Sequence, residues 1–190
     1  MTDRPMTPAL RLAGPDDVRA IAEFQTRAWR VTYRGLVPQD YLDRMDVDAR
    51  ALRWGRRLRT VSRRIAVAEI DGQVQGVVSW GRAAAEDGPP PLELKSLYVD
   101  PAQHGTGLGA TLLEFAIGGA DAQLWCYEAN PRARAFYAKH GFRPDGRRAV
   151  DPDTGVAEIR LVRLLPGAAP GRDHARFPGV PDRGIPGKRA

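Results

Sequence analysis

Gly105, Gly107 and Gly109 stand at alternate positions between a stretch that reads as a strand and one that reads as a helix. Residues 92–99 have the length and residue bias of a strand, and Asp100-Pro101 ends it. Downstream, Leu108, Leu112, Phe115 and Ala116 recur at the spacing of one helical face, and Gly118-Gly119 stops the run. The glycines therefore remove side chains where a helix begins. A helix N-terminus presents amide N–H groups without partners and the positive end of the helix dipole, so an anion can approach the backbone there. A phosphate is the expected guest.

Three kinds of phosphate ligand compete for such a loop. A nucleoside-triphosphate loop needs Gly-Lys-Ser/Thr after a four-residue gap, and no such lysine follows. GTGLGA at 105–110 does satisfy the dinucleotide pattern G-x-G-x-x-G/A, with Glu128 about 20 residues on. Yet that loop begins where its strand ends, whereas residues 100–104 intervene here. The strand also carries Glu93 and Lys95, where a strand buried on both faces would be apolar. The third ligand is an acyl-CoA with its pyrophosphate on the loop. His104-Gly105-Thr106-Gly107-Leu108-Gly109 resembles the Q/R-x-x-G-x-G/A signature of the GNAT superfamily of N-acetyltransferases, with His where Gln or Arg is usual. A second motif is Asn130-Pro131-Arg132-Ala133-Arg134-Ala135-Phe136-Tyr137 followed by Gly141-Phe142. It is similar to the N-x-x-A-x-x-F-Y-x-x-x-G-F block that follows the next strand in that superfamily. The resemblance spans roughly residues 8–165.

The resemblance implies an α/β (α+β) fold: one GNAT-like domain whose central sheet is mixed, mostly antiparallel, with six to seven strands flanked by about four helices. It implies an N-acetyltransferase that moves an acetyl group from acetyl-CoA to a primary amine, on a small molecule or peptide, by direct attack in a ternary complex. The amides of Gly105, Thr106, Gly107, Leu108, Gly109 and Ala110, with His104 at the loop's start, would receive the pyrophosphate. By the same resemblance the main chain of Leu97 and Val99 holds the pantetheine arm, with the Asn130 side chain beyond. Tyr137 matches the tyrosine that serves as general acid in many relatives, and a phenol of ordinary pKa about 10 can protonate a leaving thiolate. The segment from Ala28-Trp29 to Tyr41-Leu42 is similar to one wall of the acceptor cleft, which makes Trp29 and Tyr33 substrate-binding. The alternative for both is plain core packing.

A base is needed to take the amine's proton, and Glu93 is the first candidate. In a regular strand Glu93, Lys95, Leu97 and Val99 share a face, so the carboxylate would look into the acceptor cleft. Apolar surroundings there would raise its pKa towards a useful range. Lys95 offers the competing fate of an ion pair. Glu128, at the end of the next strand, is the second choice. Cys126 reads as a packed strand residue, not a nucleophile. His104, His140 and His174 have no ligand-spaced partners, so no metal is expected.

The rest of the chain supplies the frame. Residues 9–12 read as a first strand, and Gly14-Pro15-Asp16-Asp17 opens a helix with Val18, Ile21, Ala22 and Trp29 facing the core. A loop at 33–38 and a short helix at Tyr41-Leu42 follow. Residues 48–61 form a helix whose Arg50, Arg53, Arg56, Arg57 and Arg59 are expected on a solvated face. Asp71-Gly72 makes a hairpin of 65–70 and 74–80. Residues 123–127 are a strand, 131–140 a helix, 147–154 a polar hairpin loop and 156–164 the final strand.

Composition narrows the partners. At 190 residues, 43% hydrophobic and 27% charged, the chain suits one globular domain. It has no run of about 18 apolar residues, so no membrane partner is expected. MTDRPMTPAL lacks an apolar signal core, which predicts a cytoplasmic protein. The net charge of +6 raises nucleic-acid binding, but half the excess lies in residues 166–190, where aromatics are confined to Phe177. Those residues are rich in Pro, Gly and Arg and predict a flexible tail beyond a domain at 1–165. A monomer or homodimer fits. The rival function is a non-catalytic acyl-CoA-binding regulatory module.

Overall fold

The computed structural model describes residues 8–165; the tail expected from Pro166 and the first seven residues lie outside them. The elements in order are β1 (Ala9–Leu12), α1 (Val18–Thr32), α2 (Gln39–Asp43), α3 (Val47–Leu58), β2 (Arg63–Ile70), β3 (Gln73–Arg82) and β4 (Leu92–Val99). Then come α4 (Leu108–Ile117), β5 (Ala122–Tyr127), α5 (Pro131–Lys139), β6 (Arg143–Val150) and β7 (Ala157–Arg163). Among the described residues seven strands form one sheet in the order β1-β2-β3-β4-β5-β7-β6, and of these neighbours only β4 and β5 run parallel.

Strand alternation divides the core into two layers. Val78 and Trp80 of β3 face α4, against Leu112, Leu113 and Ala116. Val77 on the opposite face joins Ile65 and Val67 of β2 and meets Ile21, Phe24 and Trp54 from α1 and α3. A smaller third cluster gathers Trp29, Val37, Leu42, Met45 and Tyr127 at one end.

Two irregularities of the sheet shape the molecule's centre. β4 and β5 share a single paired position, Glu93 with Gln123, and then splay apart. One edge of β4 is thus left without a strand partner beyond Glu93. Along its other edge, Ser96 pairs with Ser79 but Leu94 pairs with Trp80, so Lys95 is the extra residue of a β-bulge. The bulge resets the alternation. Leu94, Leu97 and Val99 pack with the α4 layer, and Glu93, opposite Gly81, lies on the other face with Ser96 and Tyr98. The single face expected for Glu93, Lys95, Leu97 and Val99 is therefore broken between Glu93 and Leu97.

One further expectation changes. Residues 147–150 are not loop: β6 runs to Val150 and pairs with β7, and the turn is confined to 151–156. Every β6 residue is exposed, so it lacks an apolar period, and its Pro, Gly and arginines make an edge that resists further pairing. Five α-helices lie among the described residues, in line with the expected architecture, and α2 is the short helix expected at Tyr41-Leu42.

Buried Arg160 fastens the loop before β4. Its Nε donates to Asp145 Oδ2 at 2.8 Å and its Nη1 to Gln123 Oε1 at 3.0 Å, with a further bond to the Asp87 carbonyl. Gln123 Nε2 in turn donates to the carbonyls of Gly88, at 2.8 Å, and Pro90.

Candidate active site

The glycine loop owes its shape to two backbone angles. Gly105 and Gly107 sit at φ +85° and +93°, the left-handed region that disfavours a β-carbon, and Gly107 is the N-cap of α4. A Cβ at either would meet nothing within 4 Å, so open space lies above both. The amides of Gly105, Gly107, Gly109 and Ala110 find no acceptor among the described residues. They line a cavity of about 300 Å³ that also takes in Leu97, Val99 and His104. Arg132 and Lys139 border it. Burial, and then the charge of Arg132, hold His104 below the usual imidazole range, so at neutral pH it is uncharged.

α5 and its N-cap bring two expected residues, Asn130 and Tyr137, to the same wall. Asn130 caps the helix by accepting from the Ala133 amide at 3.0 Å. Helical spacing then sets Asn130, Ala133 and Tyr137 on one face, and Tyr137 packs edge-on against Phe136 and Phe142. The Asn130 oxygen is thus committed to the helix, while its Nδ2 has no partner among the described residues. Tyr137 is buried, and that burial, with Cys126 and Tyr98 nearby, holds the phenol well above its ordinary range. It keeps its proton at any working pH.

A second cavity, of about 260 Å³, opens on the α1–α3 side of the sheet. Trp29 and Tyr33 form part of its wall, 4.5 Å apart between ring centroids, and Tyr33 meets Tyr127 edge-on at 5.5 Å. Trp29 is at once wall and core, since it also belongs to the third cluster. The two cavities share Leu97, Tyr98, Tyr33, Asn130 and Tyr137. They meet where β4 and β5 splay.

The carboxylates sort differently from the sequence reading. Glu93 is buried, ion-paired to Lys95, and lines neither cavity; Lys95 stands in front of it. Glu128 pairs with Arg148 at 2.7 Å, away from both cavities. Glu158 of β7 was not singled out on sequence, and it lines the second cavity with no ion-pair partner among the described residues. Burial first, then the negative charges of Asp151 and Glu93, push it up to about 7. The available signal was one acid in the alternating run VAEIRLVRL, at a position opposite Tyr127. The basic helix also departs from expectation, since Arg50 is buried beside Trp29 and Arg53 and Arg57 join it in the cavity wall. Packing of α3 on α1 turns that face inward. Burial pushes the Cys126 thiol up to about 11, so it stays protonated.

Comparison with known proteins bears on the same elements. Residues 62–144, which hold β4, the glycine loop, α4 and α5, match the family model of the acetyltransferase (GNAT) domain. A "probable N-acetyltransferase" of Mycobacterium tuberculosis is 30% identical over 175 residues, covering 88% of this chain and 99% of that protein. The chain belongs to the GNAT family of N-acetyltransferases. Among solved GNAT-type structures, the PaiA N-acetyltransferase of Thermoplasma acidophilum, in complex with coenzyme A, superposes with a TM-score of 0.67. It is 19% identical and covers 84% of this chain and 100% of its own. YncA of Salmonella typhimurium, solved with its cofactor acetyl-CoA, gives 0.62 at 24% identity over 87% and 99% of the two chains. At those identities the likeness is one of fold. Among the described residues no helix is long and apolar enough to cross a membrane.

Proposed function

We propose that this protein transfers the acetyl group of acetyl-CoA to a primary amine by direct attack within a ternary complex. The observation that carries the reading is the meeting of two cavities in the β4–β5 gap, one ending on free loop amides and one on an unpaired carboxylate. The residues present fit a CoA: a positive helix terminus with open space above Gly105 and Gly107, and a strand edge free of a partner. When bound, acetyl-CoA supplies the thioester to be attacked. The amides of Gly105, Gly107, Gly109 and Ala110 hold its pyrophosphate, those of Thr106 and Leu108 being taken by the Gln103 carbonyl and the Thr106 hydroxyl, and the free edge of β4 around Leu97 and Val99, with Asn130 Nδ2, holds the arm. Amides on that edge stabilise negative charge developing at the carbonyl oxygen. Trp29 and Tyr33 position the acceptor.

Proton handling falls to two side chains on this reading. Glu158, ionised in part at neutral pH, takes a proton from the amine directly or through water. Tyr137, held protonated, gives its proton to the departing sulfur. The base role first assigned to Glu93 passes to Glu158, because Lys95 neutralises Glu93 while Glu93 still raises Glu158 electrostatically. Acetyl-CoA consumption on a panel of small amines and peptides tests the reading. Tyr137→Phe should lower kcat by about 10²-fold or more with the acetyl-CoA KM little changed. CoA binding with no turnover on any amine, or full activity in Tyr137→Phe, would contradict it.

A further inference from the structure

The acceptor cavity contains a buried cation without an anion. Arg50 is only 6% exposed and its guanidinium lies 4.9 Å from the centroid of the Trp29 ring. Its partners are neutral: Nη1 donates at 2.9 Å to the amide oxygen of Gln25, which also accepts from Trp54 Nε1 at 2.9 Å, and the Tyr41 hydroxyl lies against the guanidinium. Among the described residues no carboxylate comes within ion-pair distance of it. Three other charged side chains of the same wall have partners. Arg53 meets Asp153 at 3.1 Å, Lys95 meets Glu93, and Asp151 accepts from the Tyr127 hydroxyl at 2.8 Å. Arg57, stacked over Trp54 at 4.9 Å, adds a second cation with no carboxylate partner among the described residues.

Burying a lone charge costs several kcal/mol unless an opposite charge offsets it. Here the missing anion has a place to stand, because Arg50 lines the same cavity as Glu158 and Tyr137. A planar guanidinium with free N–H groups matches a carboxylate as a two-point fork. The cavity, about 260 Å³, suits a molecule of amino-acid size. Resting on the acetyl-transfer reading above, we propose that the acceptor is a small amine that also carries an anionic group, a carboxylate, seated on Arg50 with its nitrogen presented to Glu158.

The test reads binding as well as turnover. CoA-loaded protein is titrated calorimetrically with short α- and ω-amino carboxylates, their uncharged amides and the matching aminophosphonates. The wild type should bind the best carboxylate at least about tenfold more tightly than its amide. Arg50→Gln should remove that preference, and Arg50→Lys should restore part of it by returning the charge without the fork. Should Arg50→Gln fail to fold, the partly exposed Arg57→Gln keeps the test open, with the acid-to-amide ratio falling about two- to threefold. Equal affinity for acids and amides in the wild type overturns the proposal. A phosphonate preference that Arg50→Gln abolishes overturns the carboxylate assignment. Rapid acetylation of neutral amines, with no gain from a carboxylate, sinks the anion seat and leaves acetyl transfer standing. Tight, Arg50-dependent binding of acids without turnover of any amine supports the seat and sinks the transferase mechanism.

Discussion

Glu158→Gln separates the carboxylate that faces the acceptor cavity from those that do not. A base works only when ionised, and burial with the charges of Asp151 and Glu93 pushes Glu158 up to about 7. About nine-tenths of it is then ionised at pH 8 and about a tenth at pH 6, so kcat/KM should fall about tenfold between them. A carboxylate at its ordinary pKa of about 4.3 would stay ionised over that range and leave no such limb. Glutamine keeps the size and removes the proton acceptor, which should lower kcat/KM at pH 8 by about 10²-fold or more. The acceptor's own ammonium group titrates on the same axis. The informative quantity is therefore the wild-type to variant ratio at each pH, from which the acceptor's ionisation cancels. That ratio should climb about tenfold from pH 6 to pH 8. A flat ratio, or a variant as active as wild type at pH 8, refutes the assignment. Stability gives an independent check. Because the folded pKa lies above that of an unfolded carboxyl, the protonated form favours folding, and stability is lost as pH rises from the ordinary carboxylate range through about 7. Glu158→Gln should therefore raise Tm at pH 8 and leave it nearly unchanged at pH 4, by differential scanning calorimetry.

Gly107→Glu should fold, since a Cβ there meets no atom and a carboxylate suits a helix N-terminus, yet weaken CoA binding by about 10²-fold or more; unchanged affinity by calorimetry would refute the loop assignment. Gly107→Ala, which adds the φ +93° strain without the charge, controls for backbone distortion. Arg160→Met should cost about 2–4 kcal/mol, a drop in Tm on the order of 5–15 °C, because Asp145, Gln123 and the Asp87 carbonyl lose their common donor. A chain ending at Leu165 should keep its CoA affinity, as the domain boundary proposed there requires, and calorimetry on the shortened protein checks it.

Local chemistry made most of the fold readable. The glycine loop, β4 from Leu92 to Val99 and the α5 start at Asn130-Pro131 each carry their signal within a few residues: a φ only glycine tolerates, a stop at Asp100-Pro101, a side-chain cap. β6 was missed in part because an edge strand with no buried residue has no period to detect. Its ladder with β7 is backbone pairing reinforced by the Arg160–Asp145 ion pair, and neither leaves a periodic mark on the sequence.

The acceptor side could not be read the same way, because its residues acquire meaning only from one another's placement. A single extra residue, Lys95, moves Glu93 to the opposite face from Leu97, and nothing in ELKSL distinguishes a bulged lysine from a paired one. Arg50 looks like one arginine of a solvated helix until α3 packs on α1 and Trp29 covers it. Glu158 becomes a candidate base only because β7 pairs beside Tyr127 and brings it near Asp151 and Glu93, residues from three separate strand ends and turns. The donor half is built from β4 with the glycine loop and from the Asn130–Tyr137 block, two local motifs that can each be recognised in sequence. The acceptor half is assembled from α1, α3, β4 and β7, and each can change a side chain without disturbing the loop that binds the phosphate. On the proposals above, that separation would let one CoA-binding frame serve different amines and would place specificity in the pairing of Arg50 with the acceptor's anion.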